Sequence, residues 1–279
     1  MDQGKTIEFQ TEISSSRMIR GTLHTPNPID HESSACILMI HGFLGYKDWS
    51  FFPWLAQVLA EAGFPTIRFN FSGTGMTSND GIFSDLGSFE KDTLSQQMQE
   101  CQILIQKIQE GQVIKELDSR KNIYLWGHSR GGALSFIVAA LTPEVKKICT
   151  WATIAHVNRY SNEVKQSWKH QGFLKFESSR TGQTLQYLKS CLEDLEYWEL
   201  QGDIKGCIEK LSIPILAVHG QADYTVPFQE TQELAQFSKN METFLIPEAD
   251  HKFNSSHPFK TASNVLQQAT QKTVRFFRA

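Results

Sequence analysis

No run of about 18 apolar residues, the length that spans a bilayer, occurs in the 279-residue chain. The start, MDQGKTIEFQ, alternates polar and apolar residues and lacks the apolar core of a secretory signal. Long Lys/Arg blocks are missing, and the net charge is only -3. The sequence therefore carries no electrostatic footprint for nucleic acid or an anionic membrane, and its expected partner is a small, roughly neutral molecule. Cysteine is scarce: the five residues at 36, 101, 149, 191 and 207 are odd in number, widely spaced and form no C-x-x-C. They read as reduced core thiols, and a chain of this length needs no disulfide or metal to hold it together. A soluble, cytoplasmic protein is expected. H-E-x-x-H and clustered carboxylates at ligand spacing are absent, and the glycine-rich FSGTGMTS lacks the lysine of a phosphate loop. No cofactor and no metal are expected, and FSGTGMTS reads as a loop near the site.

What is present is an alternation of strands and helices. KTIEFQTEI and MIRGTLHTP read as antiparallel strands, followed by a loop at Pro26, Asn27, Pro28 and Asp30. CILMIHG is a continuous apolar run, the form of a strand buried on both faces. A helix with Leu55, Val58, Leu59 and Ala62 on one face should follow and stop at Gly63. PTIRFNF is the next strand, and Leu94, Met98, Cys101, Ile105 and Ile108 form one stripe of an amphipathic helix. NIYLWGHS then reads as a strand and GGALSFIVAAL as a helix closed by Pro143. KICTWATI, IPILAVHG and ETFLIPEADH are the last strands, before a C-terminal helix containing Val265, Ala269, Val274 and Phe277. This pattern predicts an α/β fold, a mostly parallel twisted sheet with helices on both faces. Residues 156–210 interrupt it: polar, aromatic and without strand signal, they place Leu185, Leu188, Leu192 and Leu195 on one helical stripe. They are read as a small helical cap over the carboxyl ends of the strands, rather than a long crossover, leaving 1–155 and 211–279 as the core.

GHSRGG carries the chemistry. Its G-x-S-x-G lies between a buried strand and a helix, so the chain must reverse within a few residues, where Gly127 and Gly131 have no Cβ to clash. The turn presents Ser129 above the sheet edge, beside the free N–H groups of the helix N-terminus. A serine hydroxyl is a weak nucleophile without a general base, and that base needs an acid to fix its tautomer. Both should lie on later strand-end loops: HGQADYTVP offers Asp223 and EADHKF offers His251.

Among the nine histidines, His257 is the rival to His251, being in the same loop but just before Pro258. His41, His128 and His219 sit beside glycines at strand ends and read as lining or bracing the site. His24 and His31 precede the parallel core, and His156 and His170 belong to the cap region. Asp250 adjoins the base and should point elsewhere, and Glu248 reads as a solvated edge residue. The oxyanion of acyl transfer needs two main-chain donors. These are expected to be the N–H of Arg130, after the nucleophile, and that of Phe43 in HGFLG; the Arg130 side chain is assigned no chemistry.

With Ser129, Asp223 and His251 in that order behind HGFLG, the chain resembles the α/β-hydrolase superfamily over nearly its whole length. HGFLGYKDWSFF, IRFNFSGTGMTS, GHSRGG, HGQADYTVP and ADHKF are similar to its cinnamoyl/feruloyl esterase and serine-aminopeptidase-like branch. The resemblance implies nucleophile Ser129, base His251, acid Asp223, and oxyanion donors Phe43 and Arg130. It also implies a small cap and a substrate among esters, acyl-peptides, lipids or thioesters. The branch's usual GHSQGG reads GHSRGG here, which leaves the triad intact and opens the question of what forms the pocket floor.

The expected activity is cofactor-independent cleavage of a small carboxylic ester through an acyl-enzyme. A pocket for short or aromatic acyl groups is expected from Trp49, Phe51, Phe52 and Trp54, with Tyr160, Trp168, Tyr187, Tyr197 and Trp198 of the cap. Peptidase or thioesterase activity, or lyase or cofactor-free oxygenase chemistry using the His-Asp base, are the alternatives. A non-catalytic binding module is disfavoured, since all three triad positions are present. Oligomeric state is not readable from one sequence.

Overall fold

The computed structural model describes residues 4–26, 35–77, 81–113, 122–201 and 203–279; the loop at 27–30 and His31 lie outside them. Strands β1 (Thr6–Ser14) and β2 (Arg17–His24) form an antiparallel hairpin in which β1 turns Phe9 and Thr11 inward. Strand β3 (Ala35–Ile40) is buried at every residue, which its unbroken apolar sequence requires. Helix α1 (Phe52–Glu61) carries a proline in its first turn, where a missing N–H costs nothing, and gives way to Gly63 at φ 104°. Strand β4 (Thr66–Asn70) and the one-turn helix α2 (Leu86–Phe89) precede α3 (Leu94–Gln109). Thr93 caps α3 by accepting from Gln96 N at 3.1 Å. The expected stripe of α3 is buried at Leu94, Cys101, Ile105 and Ile108, but Gln97 and Glu100 are buried beside it.

Strand β5 (Asn122–His128) leads into α4 (Arg130–Leu141) and then β6 (Val145–Trp151). Next come α5 (Asn162–Gln171), strands β7 (Phe173–Glu177) and β8 (Thr184–Leu188), α6 (Lys189–Leu200) and α7 (Asp203–Glu209). Strand β9 (Ile215–Gly220), α8 (Gln229–Ala235), β10 (Met241–Ile246) and α9 (Asn264–Arg278) close the chain.

Eight strands make one sheet in the order β1-β2-β4-β3-β5-β6-β9-β10. Pairs β1/β2 and β2/β4 are antiparallel and the others parallel. One face packs under α3, α4 and α7, with Leu104, Leu134, Phe136, Ile204 and Ile208 in a common core with the sheet. The other lies under α1 and α9, where Leu55, Leu59, Leu266 and Phe277 meet Trp126, Trp151 and Val218. Covered by α3 and α7, α4 is buried continuously from Gly131 to Ala139, so it needs no polar stripe. Helix α9 keeps one: Val265, Leu266, Ala269, Thr270, Thr273 and Phe277 face inward, and Thr273 Oγ1 accepts from the buried Trp151 Nε1 at 2.9 Å. Full burial of an aromatic such as Phe277 contributes roughly 1.5–3 kcal/mol.

The segment between β6 and β9 corrects the sequence reading in one respect. It contains the antiparallel hairpin β7–β8, so Leu185 and Leu188 lie on a strand and only Leu192 and Leu195 lie on a helix. The spacing of these leucines fits a helical stripe, but the buried residues of β8 are Leu185 and Tyr187, a period of two. Tyr187 decides the matter by stacking on Phe89 at 5.0 Å between ring centres. With Tyr46, Phe83, Trp168 and Leu192 these residues make a third, smaller core outside the sheet.

Candidate active site

Chain direction across the sheet reverses at β3, which has β4 on one side and β5 on the other. Loops leaving the carboxyl ends of two such strands diverge to opposite faces and leave a crevice between them. The loop after β3 brings Gly42 and Phe43 to this crevice, and the turn after β5 brings Ser129.

Ser129 sits at φ 57°, ψ -121°, a conformation that costs a non-glycine residue about 1–3 kcal/mol. The flanking structure imposes it. Ser129 N donates to Trp151 O at 2.9 Å, and Ser129 O accepts from Gly132 N at 3.0 Å to start α4. A Cβ on Gly127 would lie 2.3 Å from Gly131 O, and one on Gly131 would lie 2.2 Å from Ile40 O, so both glycines are sterically required. Although Ser129 occupies the N-cap position of α4, its side chain does not cap the helix. The hydroxyl is left to the cavity.

Asp223 is held at the end of β9 by four donors. Oδ1 accepts from Thr225 N at 2.8 Å and Val226 N at 2.9 Å. Oδ2 accepts from His251 Nδ1 at 2.7 Å and faces His219 Nε2 at 3.3 Å. Burial pushes this carboxyl up, but the hydrogen bonds from His219 and His251 outweigh it and hold the group well below the usual carboxylate range. An ionised Asp223 keeps the His251 proton on Nδ1 and leaves Nε2 with its lone pair toward the cavity that Ser129 also lines. Among the described residues, no hydrogen bond joins Ser129 Oγ to His251.

Three histidines brace the arrangement. His219 Nε2–H donates to Val226 O at 2.9 Å, while its Nδ1 accepts from Thr231 Oγ1 at 2.7 Å; this fixes the tautomer that faces Asp223. His128 Nε2–H donates to the main-chain oxygen of His251 at 2.9 Å, and burial drives its pKa down to about 3, so it is a neutral prop. His41 Nδ1–H donates to Gly42 O at 3.0 Å behind the Phe43 loop, and burial lowers it to about 4. His257 Nδ1 accepts from Ser50 N at 3.1 Å and its Nε2 meets Tyr46 Oη at 3.1 Å. With both nitrogens engaged there, it has no carboxylate partner among the described residues. Asp250 turns to the amides of Lys252 and Asn254, away from His251.

Phe43 and Arg130 both line the cavity, and among the described residues neither amide donates to a main-chain acceptor. The Arg130 guanidinium lies 4.8 Å from the centre of the Phe43 ring and 4.0 Å from Asp92 Oδ2, so the arginine of GHSRGG forms part of the pocket wall. Asp92 itself is buried, with Gln97 Nε2 donating to Oδ2 at 2.6 Å and Oδ1 unpartnered; burial outweighs Arg130 and raises its pKa to about 7. No sequence pattern marks this pair.

The cavity measures about 440 Å³. Of the expected aromatic lining, Trp49, Phe52 and Tyr160 face it. Phe51 is in the core against Trp151, and Trp168 and Tyr187 are in the outer core. Trp54 packs on Phe259, Trp198 donates to Ser95 Oγ, and Tyr197 is exposed. Among the described residues, no group of three or more His, Cys, Asp or Glu could hold a metal ion. No helix there is long and apolar enough to cross a membrane.

A strained serine at a strand-to-helix turn, beside a switch-point crevice with an aspartate–histidine pair on later strand ends, defines a class of α/β enzymes. The model of the alpha/beta hydrolase fold family matches residues 36–186, and the chain belongs to that family. It has the α/β-hydrolase fold and is similar in sequence to hydrolases. It is 27% identical to the acylamino-acid-releasing enzyme of Rattus norvegicus in an alignment of 243 residues that covers 82% of this chain and 30% of that protein. Serine hydrolase BPHL of Mus musculus is 23% identical over 257 residues, 88% of this chain and 83% of its own length. In structure the chain is similar to Est1E from Butyrivibrio proteoclasticus, with TM-score 0.66, 16% identity and all of both chains covered.

Proposed function

We propose that the protein is a cofactor-independent serine hydrolase that cleaves a small carboxylic ester through an acyl-enzyme. The observation that carries this reading is the Asp223–His251 pair at 2.7 Å, facing the same cavity as the uncommitted hydroxyl of Ser129. His251 Nε2 takes the Ser129 proton as Oγ bonds to the ester carbonyl carbon, and the imidazolium is stabilised by Asp223. The developing oxyanion is held by the N–H groups of Phe43 and Arg130, each donor contributing roughly 3–4 kcal/mol to the transition state. Collapse breaks the carbon–oxygen bond of the leaving alcohol, which receives the proton from His251; water, deprotonated by the same nitrogen, then releases the acid and restores Ser129.

Residues 156–210 serve as the cap, contributing Val157, Tyr160 and Leu195 to the cavity wall, where an apolar acyl group of short-chain or aromatic type fits. None of the five cysteines, all among the described residues, is in a disulfide, which suits a reducing compartment such as the cytoplasm. The relatives support hydrolysis in general and leave peptide and thioester bonds as alternatives.

The test is labelling by a fluorophosphonate, with nitrophenyl acetate turnover, on the wild-type and Ser129→Ala proteins. A Ser129 adduct and a loss on the order of 10⁶-fold in kcat are expected. No adduct on the folded protein would shift the assignment to non-covalent chemistry by the His-Asp base, and near-wild-type turnover by Ser129→Ala would end it.

A further inference from the structure

A second cavity of about 650 Å³ adjoins the catalytic one; the two share Trp49, Ser179, Arg180 and Lys252. No Asp or Glu among the described residues lines either cavity, whereas Arg130, Arg159, Arg180 and Lys252 line the inner one. Two of these cations have a carboxyl partner. Arg159 is paired with Glu230 at 2.5 Å, and Arg130 faces Asp92 at 4.0 Å. Arg180 and Lys252 form no ion pair among the described residues, and both line the wall where the two cavities adjoin.

Arg180 is not a loose surface cation. Its Nη1 donates to Gly81 O at 2.8 Å and its Nη2 to Leu44 O at 3.5 Å, while the guanidinium lies 4.7 Å from the Tyr46 ring centre and 5.1 Å from that of Phe83. Neutral carbonyls and aromatic faces fix the plane of the guanidinium without cancelling its charge, and leave part of its five-donor fork free. Lys252 directly follows His251 and lines the same cavity. An overall charge of -3 gave no reason to expect an anionic ligand. A ligand in a cleft, however, meets the local field, and here the uncompensated charge is positive.

We propose that this junction is an anion subsite, and that the substrate is an ester carrying a carboxylate, which Arg180 clamps and Lys252 attracts while the acyl carbonyl lies at Ser129. The proposal deepens the ester-hydrolase reading and rests on it for the place of the scissile bond. The carboxylate belongs either to the acyl group or to the leaving alcohol, and matched esters separate the two. Mono-nitrophenyl glutarate is compared with nitrophenyl pentanoate, and the para-carboxyl with the para-methyl phenyl acetate, each corrected for spontaneous hydrolysis. Binding without chemistry is read by calorimetric titration of the Ser129→Ala protein with phenylpropionate and phenylpropionamide.

The carboxylate member is expected to win by about tenfold or more in kcat/KM in at least one pair, as for a hydrogen bond to a charged group. That preference should shrink with added salt and fall in Arg180→Met and in Lys252→Met. The second substitution is on an exposed side chain, so it keeps the test open should the first fail to fold. Equal turnover within both pairs, or a preference untouched by either substitution, overturns the proposal. Charge-selective binding without any ester turnover or serine labelling upholds the subsite and overturns the hydrolase reading alone.

Discussion

His219 and His251 converge on one oxygen, Oδ2 of Asp223, from 3.3 and 2.7 Å. The first is locked by Val226 and Thr231, so it positions the carboxylate; the second shares the cavity with Ser129. Replacing His219 by Leu leaves Oδ2 one donor short. A loss of about 10²-fold is expected, the scale of a misplaced catalytic group, falling on kcat rather than KM. Asn, which restores an N–H, should recover part of it. Equal kcat for the wild-type and Leu proteins would remove His219 from the relay.

The two histidines of the last loop should separate cleanly. His251→Ala is expected to lower kcat by about 10⁴-fold or more. His257→Ala should lower it by no more than about tenfold, with its main effect on the melting temperature, since His257 accepts a hydrogen bond from Ser50 N. A larger kcat loss from His257→Ala would reverse the assignment.

Asp223 makes the native state resist acid in a defined direction. Its pKa is depressed on folding, so its contribution is complete above the unfolded carboxylate value of about 3.9 and disappears as the pH falls below it. The melting-temperature gap between wild-type and Asp223→Asn proteins should therefore be wider at about pH 6 than at about pH 3. A gap that widens toward acid would contradict the hydrogen-bonded carboxylate.

Asp92 works in the opposite sense. Burial raises its pKa to about 7, so its neutral form stabilises the fold fully below about pH 4 and that contribution is lost as the pH rises through 7. Going from acid to mildly alkaline buffer, Asp92→Asn should gain on the wild type in melting temperature, whatever the constant effect of removing the partner of Arg130. A pH-independent difference would mean that Asp92 is ionised throughout and paired with Arg130.

Gly131→Ala places a methyl group 2.2 Å from Ile40 O. Relief requires α4 to move off the sheet, at a cost of about 1–3 kcal/mol. Lower melting temperature together with lost serine labelling is expected; unchanged labelling would show that the turn at Ser129 does not depend on this approach.

The strand-and-helix alternation was legible because apolar periodicity is a local property: CILMI needs cover on both faces wherever it sits, and a stripe such as Leu94, Cys101, Ile105 and Ile108 needs one buried side. Asp223 and His251 were legible for a related reason. Each lies just past a strand that the pattern identifies, and parallel strands deliver such loops to one edge of the sheet. The β7–β8 hairpin was not, since Leu185, Leu188, Leu192 and Leu195 satisfy the helical spacing until Tyr187 is seen against Phe89.

By itself, then, the amino-acid order determined the layered α/β architecture, the strained serine and the chain order of its candidate partners, all of which follow from short-range sterics and periodic burial. Only tertiary structure decided which histidine pairs with Asp223 in the cavity, that Asp92 stands buried against Arg130, and that Arg180 and Lys252 line the same two cavities with no Asp or Glu among the described lining residues. Burial and charge compensation depend on neighbours brought together from distant parts of the chain, and no single segment contains that information.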